Sequence, residues 1–174
     1  MTFKELQEKI GSQLAENWRQ HTNGGGWLHK SAIVDATAFV GDGAIVWGQV
    51  YGNAQVSDNA WVSGNARVYG NAQVSGNAWV SDNAQVSGNA QVSGNAWETS
   101  PLFIVGTRHS LTNAKYGYIQ IGCFCETYAW WKKNGVRIGK KNGYTPAEIK
   151  EYQEYVNLFC RIGKKLPLKK KRTP

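Results

Sequence analysis

The 174 residues suffice for one domain with a hydrophobic core, and no run of about 18 apolar residues is available to cross a membrane. The net charge of +8 is unevenly placed: residues 99–174 carry fifteen Lys and Arg against four Glu, residues 1–98 five against eight Asp and Glu. A basic C-terminal third points to an anionic partner (nucleic acid, nucleotide or an acidic protein face), with a solvated surface as the plainer alternative. The start, Met1-Thr-Phe-Lys-Glu-Leu6, lacks a basic stretch followed by an apolar run, so a cytoplasmic protein is expected, with Cys123, Cys125 and Cys160 as reduced thiols.

Residues 2–21 read as an amphipathic helix. Thr2 and Glu5 form a capping box, and Phe3, Leu6, Ile10, Leu14 and Trp18 fall on one face. Asn23-Gly-Gly-Gly26 ends it. The apolar stripe is expected to dock on the array that follows and to cover one end of it.

That array has a period of six. Alanine recurs at 54, 60, 66, 72, 78, 84, 90 and 96, each preceded by Asn, and valine at 50, 56, 62, 68, 74, 80, 86 and 92. Ala and Val lie two apart, so both face the same side of an extended segment, which is the core. Gly-Asn or Asp-Asn marks the corner, where positive φ is tolerated. Rougher units, Ala32-Ile-Val34, Ala38-Phe-Val40 and Ala44-Ile-Val46, precede it. Gly48-Gln-Val50 then follows four residues on instead of six, which predicts a shortened turn around Trp47. Asp58, Arg67 and Asp82 are the only charged residues from 50 to 97.

The outward residues give a second period. Trp61, Trp79 and Trp97 are 18 apart, as are Gln55, Gln73 and Gln91. Three hexads per coil predict a three-sided solenoid with one tryptophan face. An exposed aromatic face calls for cover, within the chain or in a homo-oligomer, so Trp61, Trp79 and Trp97 are candidate interface residues of a dimer or trimer. Carbohydrate stacking or capture of a partner is the alternative.

These Ala-x-Val hexads resemble the hexapeptide-repeat, left-handed β-helix family over about residues 31–98. The resemblance implies a mainly β fold: a three-sided left-handed β-helix, here with an N-terminal helix and a small α+β C-terminal module. Gly or Asp stands at the second position after Val, where the best-known hexapeptide pattern favours the first. The Gly-Asn-Ala-x-Val array, Gly106-Thr-Arg-His109, Ile121-Gly-Cys123 and Gly143-Tyr-Thr-Pro-Ala-Glu-Ile149 together resemble uncharacterised phage and prophage proteins. The expected division is 1–26 for the helix and Gly linker, 27–98 for the repeats, 99–163 for the module and 164–174 for a basic tail.

In the module, Leu102–Val105 and Tyr118–Ile121 read as strands, with Thr107, Arg108, His109, Thr112 and Asn113 in a polar loop between them. A short helix is expected from Thr127 to Lys133, ending at Asn134-Gly135. A second is expected from Thr145, with Pro146 in its first turn, Glu148 completing a capping box, and Ile149, Tyr152, Val156 and Phe159/Cys160 as its stripe. Gly163 ends it.

Five chemistries are open. Many hexapeptide-repeat proteins are acyltransferases with a histidine base, but His21, His29 and His109 all lie outside the array and none can be placed on a substrate proton. Cys123, Cys125, Cys160 and His109 could hold zinc or form a Cys–His pair, but paired CxxC spacing is missing and buried structural cysteines are the plainer reading. Arg108 and His109, with Lys115, Lys132, Lys133, Arg137, Lys140 and Lys141, could bind a phosphate or nucleotide, although no phosphate-binding GxxxxGKS loop is present. The basic tail could bind phosphates non-specifically. The tryptophan face could capture a partner. The expectation is a non-enzymatic phage-type accessory protein that captures or blocks a host component, with counter-defence as a candidate role. No catalytic residue, metal or cofactor is assigned; the alternatives are a nucleic-acid or nucleotide binder and an acyltransferase.

Overall fold

The computed structural model describes residues 1–164; apart from Lys164, the basic tail expected over 164–174 lies outside them. The chain divides into two compact units, one over Met1–Pro101 and a second that begins at Leu102.

The first unit is a β-solenoid of about four turns. It opens with α1 (Phe3–Ile10), a 3-10 turn (Ala15–Asn17) and β1 (Trp18–Gln20). Short strands follow: β2 (Trp27–His29), β3 (Ile33–Val34), β4 (Phe39–Val40), β5 (Ile45–Val46), β6 (Gln49–Val50), β7 (Gln55–Val56) and β8 (Trp61–Val62). The series continues with β9 (Arg67–Val68), β10 (Gln73–Ser75), β11 (Trp79–Val80), β12 (Gln85–Val86), β13 (Gln91–Ser93) and β14 (Ala96–Trp97).

From β2 on, each strand pairs in parallel with the third strand before or after it, giving three sheets: β2-β5-β8-β11-β14, β4-β7-β10-β13 and β3-β6-β9-β12. β1 joins the first sheet antiparallel to β2. The alanines and valines of the hexads from Val50 to Val92 are the core, with Ala54, Val56, Ala60, Val62, Ala66 and Val68 all at 0% exposure; Ala96, expected to join them, is exposed. The corner residue takes positive φ whether it is glycine or aspartate: Gly52, Asp58, Gly64 and Asp82 lie between 54° and 66°. At Asp58 the carboxylate also accepts the Gly76 N–H of the next coil at 2.8 Å.

Register records the irregular turns. Regular coils pair residues 18 apart, as in Gln55 with Gln73 and Trp61 with Trp79. Across the shortened turn at Trp47 the offset is 16, as in Ile45 with Trp61 and Ile33 with Gln49. There both Trp47 N–H and Gly48 N–H donate to Val62 O, at 2.7 and 3.0 Å. β13 still pairs at 18, but at β14 the offset is 17, with Trp79 opposite Ala96 and Val80 opposite Trp97. This corrects the expected tryptophan face. Trp97 does not stand outside below Trp79; it occupies the core position and is 0% exposed. The reason is Glu98. A regular hexad after Val92 would bury residue 98, and a carboxylate cannot take an unpaired place in an apolar core. The slip by one residue buries an indole and leaves Glu98 exposed.

The N-terminal helix is also shorter than the apolar spacing suggests. α1 carries the expected capping box, then stops at Gly11, where φ is +81°. Only a glycine takes that conformation without strain, and it ends the helix before Leu14 and Trp18 can join the stripe. Leu14 is 64% exposed, and Trp18 sits in β1. Leu6 packs with Trp18 and Ile45, flanked by Trp27 and Trp61. α1 therefore covers the outer surface of the first sheet, not an end of the solenoid.

The second unit is α+β. Its strands β15 (Phe103–Val105), β16 (Ser110–Lys115), β17 (Tyr118–Ile121) and β18 (Phe124–Thr127) form an antiparallel meander. Two helices follow, α2 (Tyr128–Lys141) and α3 (Pro146–Ile162). Thr112 and Asn113 were expected in a loop but lie buried in β16. Asn113 can be buried because its amide donates to Lys115 O and Tyr118 O and accepts the Lys164 N–H. α2 runs through the expected stop at Asn134-Gly135, where Asn134 Nδ2 donates back to Trp130 O within the helix. It ends instead at Asn142-Gly143, and Gly143 takes φ +68°. α3 has the expected box of Thr145 and Glu148, with Pro146 in its first turn. Tyr152, Val156 and Phe159 join Leu111, Ile119, Ile121 and Trp131 in the core of this unit.

One consequence concerns alkaline pH. The Tyr128 hydroxyl donates to Lys164 O at 2.9 Å, and burial, with Cys160 alongside, pushes its phenol up to about 12. Unfolded, it ionises near 10. The neutral form is thus favoured by folding, so its stabilising contribution is complete below pH 10 and is lost as pH rises toward about 12. The thermal midpoint of this unit should fall across that window, and Tyr128→Phe should flatten the fall. Tyr144 and Tyr155 are raised in the same direction and keep some slope.

Candidate functional site

The second unit encloses a cavity of about 290 Å³. Five segments meet around it: the turn between β15 and β16, the turn between β17 and β18, one face each of α2 and α3, and the loop that joins those helices. α2 contributes Lys132, Gly135, Val136 and Gly139, and α3 contributes Ile149, Tyr152, Gln153 and Val156. Both sets have the i, i+3, i+4, i+7 spacing of a single helical face. Trp131 lies within the lining, its indole N–H donating to Ile119 O at 2.9 Å.

Arg108 and His109 are held by Tyr152. Its hydroxyl accepts the backbone N–H of Arg108 at 3.1 Å and of His109 at 2.6 Å, and donates to His109 O at 2.7 Å. Glu151, one residue earlier, accepts the Thr107 hydroxyl at 2.6 Å and the Thr107 N–H at 2.9 Å. Those bonds, the hydroxyl's first, hold its carboxyl below the usual carboxylate range. One turn of α3 thus fixes the whole 107–109 turn.

The side chains are oriented in turn. The Arg108 guanidinium stands 4.5 Å from the Tyr144 ring centroid, donates to Gly143 O at 2.9 Å and lies 3.8 Å from a Glu148 oxygen. His109 Nδ1 is 2.7 Å from the Tyr144 hydroxyl. Burial raises the Tyr144 phenol, with Tyr152 adding to it, so this hydroxyl keeps its proton at neutral pH. The imidazole lies against Gly122: a Cβ there would stand 3.0 Å from Cδ2 and 3.4 Å from Nε2.

The basic residues therefore separate into two sets. Arg108, His109 and Lys132 line the cavity. Lys133, Arg137, Lys140 and Lys141 do not; they are exposed, and at i, i+4, i+7 and i+8 they share the other side of α2. Lys140 and Lys141 stand in its last turn, where positive charge complements the helix dipole. Lys115 is exposed, 5.3 Å from the Tyr118 ring centroid.

In the sequence Tyr152 reads only as an apolar stripe residue, and Tyr144, Gln153 and Trp131 carry no functional signal. Tyr144 does stand in Gly143-Tyr-Thr-Pro-Ala-Glu-Ile149, one of the segments that carry the phage resemblance. The cysteines are free and not all buried: Cys123 is exposed at the cavity, while Cys125 and Cys160 are half-buried. Burial pushes the Cys125 thiol up. Among the described residues no group of three His, Cys, Asp or Glu could hold a metal ion. Nor is any helix among them long and apolar enough to cross a membrane.

Of the expected interface tryptophans, Trp61 is half-buried beside α1 and Trp79 is 49% exposed. Their rings are 5.7 Å apart and tilted by 54°, and Trp79 Nε1 donates to Ser63 Oγ at 2.8 Å.

Residues 49–99 match a family model described as the YdcK beta solenoid repeat, in five overlapping stretches: 49–64, 54–70, 62–76, 72–88 and 84–99. The match is confined to the repeats and leaves the cavity-bearing unit outside it. No curated protein and no solved structure gave a match.

Proposed function

We propose that this chain is a binding protein whose C-terminal unit takes a small anionic ligand, while the solenoid acts as a spacer and docking surface. One observation carries this reading. Gly106-Thr-Arg-His109 and Ile121-Gly-Cys123 lie apart in sequence, yet Arg108, His109, Ile121, Gly122 and Cys123 line the same cavity. A mostly apolar cavity with a few placed polar groups is the usual form of a small-molecule site. Here those groups include the Arg108 guanidinium, oriented from behind by Gly143 O and the Tyr144 ring, which is what anion binding requires.

The three parallel sheets and the 18-residue register support a three-sided solenoid, and the hexads support a left-handed one. The resemblance of the cavity-lining segments to phage proteins supports an accessory role in a bacterial cytoplasm, where the ligand or its carrier is a sequestered host component. Exposed Trp79 supports self-association as a dimer or trimer through the solenoid.

Calorimetric titration of the full chain with inorganic phosphate and nucleoside phosphates tests the site. Arg108→Ala should weaken binding of phosphate and nucleotides alike by about tenfold or more, the scale of one charge-assisted hydrogen bond, and Lys132→Ala should weaken the nucleoside phosphates. Lys140→Ala, on the far side of α2, should change it less than about twofold. Light scattering on the same samples reads the assembly. No binding to any of these anions would sink the proposed site.

A further inference from the structure

The cavity has two chemically distinct ends, and together they specify more than an anion. Resting on the anion-binding reading above, we propose that its ligand is a purine nucleoside monophosphate, adenine preferred. The phosphate sits on Arg108 and His109, and the base lies between α2 and α3 with its edge read from α3.

Size comes first. A volume of about 290 Å³ lies at the small end of ligand cavities, which run from about 300 to 1,000 Å³. It suits one nucleotide and not a strand. The placement of charge agrees. A nucleic-acid strand would use a continuous basic track, but Lys133, Arg137, Lys140 and Lys141 are turned to the opposite side of α2 from the cavity.

The phosphate end is set by Arg108 and His109. With the Tyr144 hydroxyl donating to Nδ1, the imidazole presents an N–H at Nε2. Arg108 spends one nitrogen on Gly143 O and keeps further donors of its fork. The N-terminus of α3 does not supply this site, because Thr145 and Glu148 already satisfy it.

The other end differs. Lys132 precedes Gly139 by seven residues, about 10 Å along α2. That is close to the reach from a phosphate to the far edge of its base. Across from α2, Gln153 and Asn157 are one helical turn apart on α3, both line the cavity, and neither amide is engaged within the described residues. An acyl chain gives these amides nothing to bind, and a bare phosphate held by Arg108 and His109 does not extend to them. A purine does: a side-chain amide pairs bidentately with adenine N6 and N7 and loses one of those bonds to guanine. Lys132 donates to the remaining ring nitrogens or the ribose oxygens.

The test is calorimetric titration of the full chain with AMP, GMP, adenosine and inorganic phosphate. AMP should bind at least about a hundredfold more tightly than adenosine or phosphate alone, since each lacks one half of the recognition. GMP should be about tenfold weaker than AMP, the scale of one bidentate base contact. Arg108→Ala should weaken AMP and leave adenosine unchanged. Gln153→Ala and Asn157→Ala alter exposed positions and should preserve the fold, as circular dichroism checks; at least one should bring the AMP-to-GMP ratio close to one. If AMP binds no better than phosphate, or if both amide variants keep the ratio, this proposal is wrong while the anion site stands. If phosphate and nucleotides all fail to bind, both readings fall together.

Discussion

Trp97→Ala should destabilise the solenoid by about 3–5 kcal/mol, the usual cost of removing a fully buried large aromatic side chain. Trp97 takes the place that Val80 and Val62 hold in the coils before it, and it is 0% exposed. It is also the last strand residue of its sheet, so the cavity it left would open at the end of the stack. Local unfolding should therefore run back from β14 to β11 and be visible as lost amide-exchange protection at Ser81, whose N–H donates to Trp97 O at 2.9 Å. Trp79→Ala is the control. It removes the same side chain from a position 49% exposed, and its cost should stay near about 1 kcal/mol or less. The regular hexad pattern requires the reverse equivalence, with Trp79 and Trp97 both outside and both cheap. Urea denaturation of the two variants separates these readings. Equal midpoints would refute the slipped register.

The two tryptophans also show how far the sequence could be read. The hexads made the solenoid legible because one Ala-Val pair per six residues is a strong periodic signal, and the 18-residue spacing anticipated the pairing of Trp61 with Trp79. The same extrapolation failed at Trp97 because it followed the outward residues without asking what would occupy the next core position. Glu98 was in view and could have forced the slip. The helix ends early for a comparable reason: the apolar stripe continues across Gly11, a single residue whose positive φ redirects the chain. In the C-terminal unit, strand β16 was hidden because its buried centre is Thr112-Asn113, and a polar pair reads as loop until its partners are known. The candidate site was half legible. Cations near one another in sequence could be named, but their division between two sides of α2 depends on that helix continuing past Asn134-Gly135. Tyr152 was beyond reach, since its role lies in hydrogen bonds to residues more than forty positions away.

That role leads to the second large effect. Tyr152→Phe should cost about 2–3 kcal/mol and weaken anion binding by about tenfold or more, although Tyr152 supplies no charge. The hydroxyl is the only partner described for the Arg108 and His109 N–H groups, and it also donates to His109 O. Removing it leaves two donors and an acceptor in a part-buried turn with nothing to replace them. The turn must open to water, and Arg108 and His109 move with it. Gly106→Ala strikes the same bonds from the other side. A methyl group there would stand 2.7 Å from the Tyr152 oxygen and 2.8 Å from His109 O, so either the hydroxyl or the turn must give way. Because both changes break one set of contacts, their costs should not add. The double variant should fall close to the worse single one, whereas independent structural damage would sum. Amide exchange at Arg108 and His109 gives a readout specific to the turn. Protection at those two positions should vanish in Tyr152→Phe while the core strand at Ile119 keeps its own; retained protection at 108 and 109 would show that the hydroxyl does not hold the site.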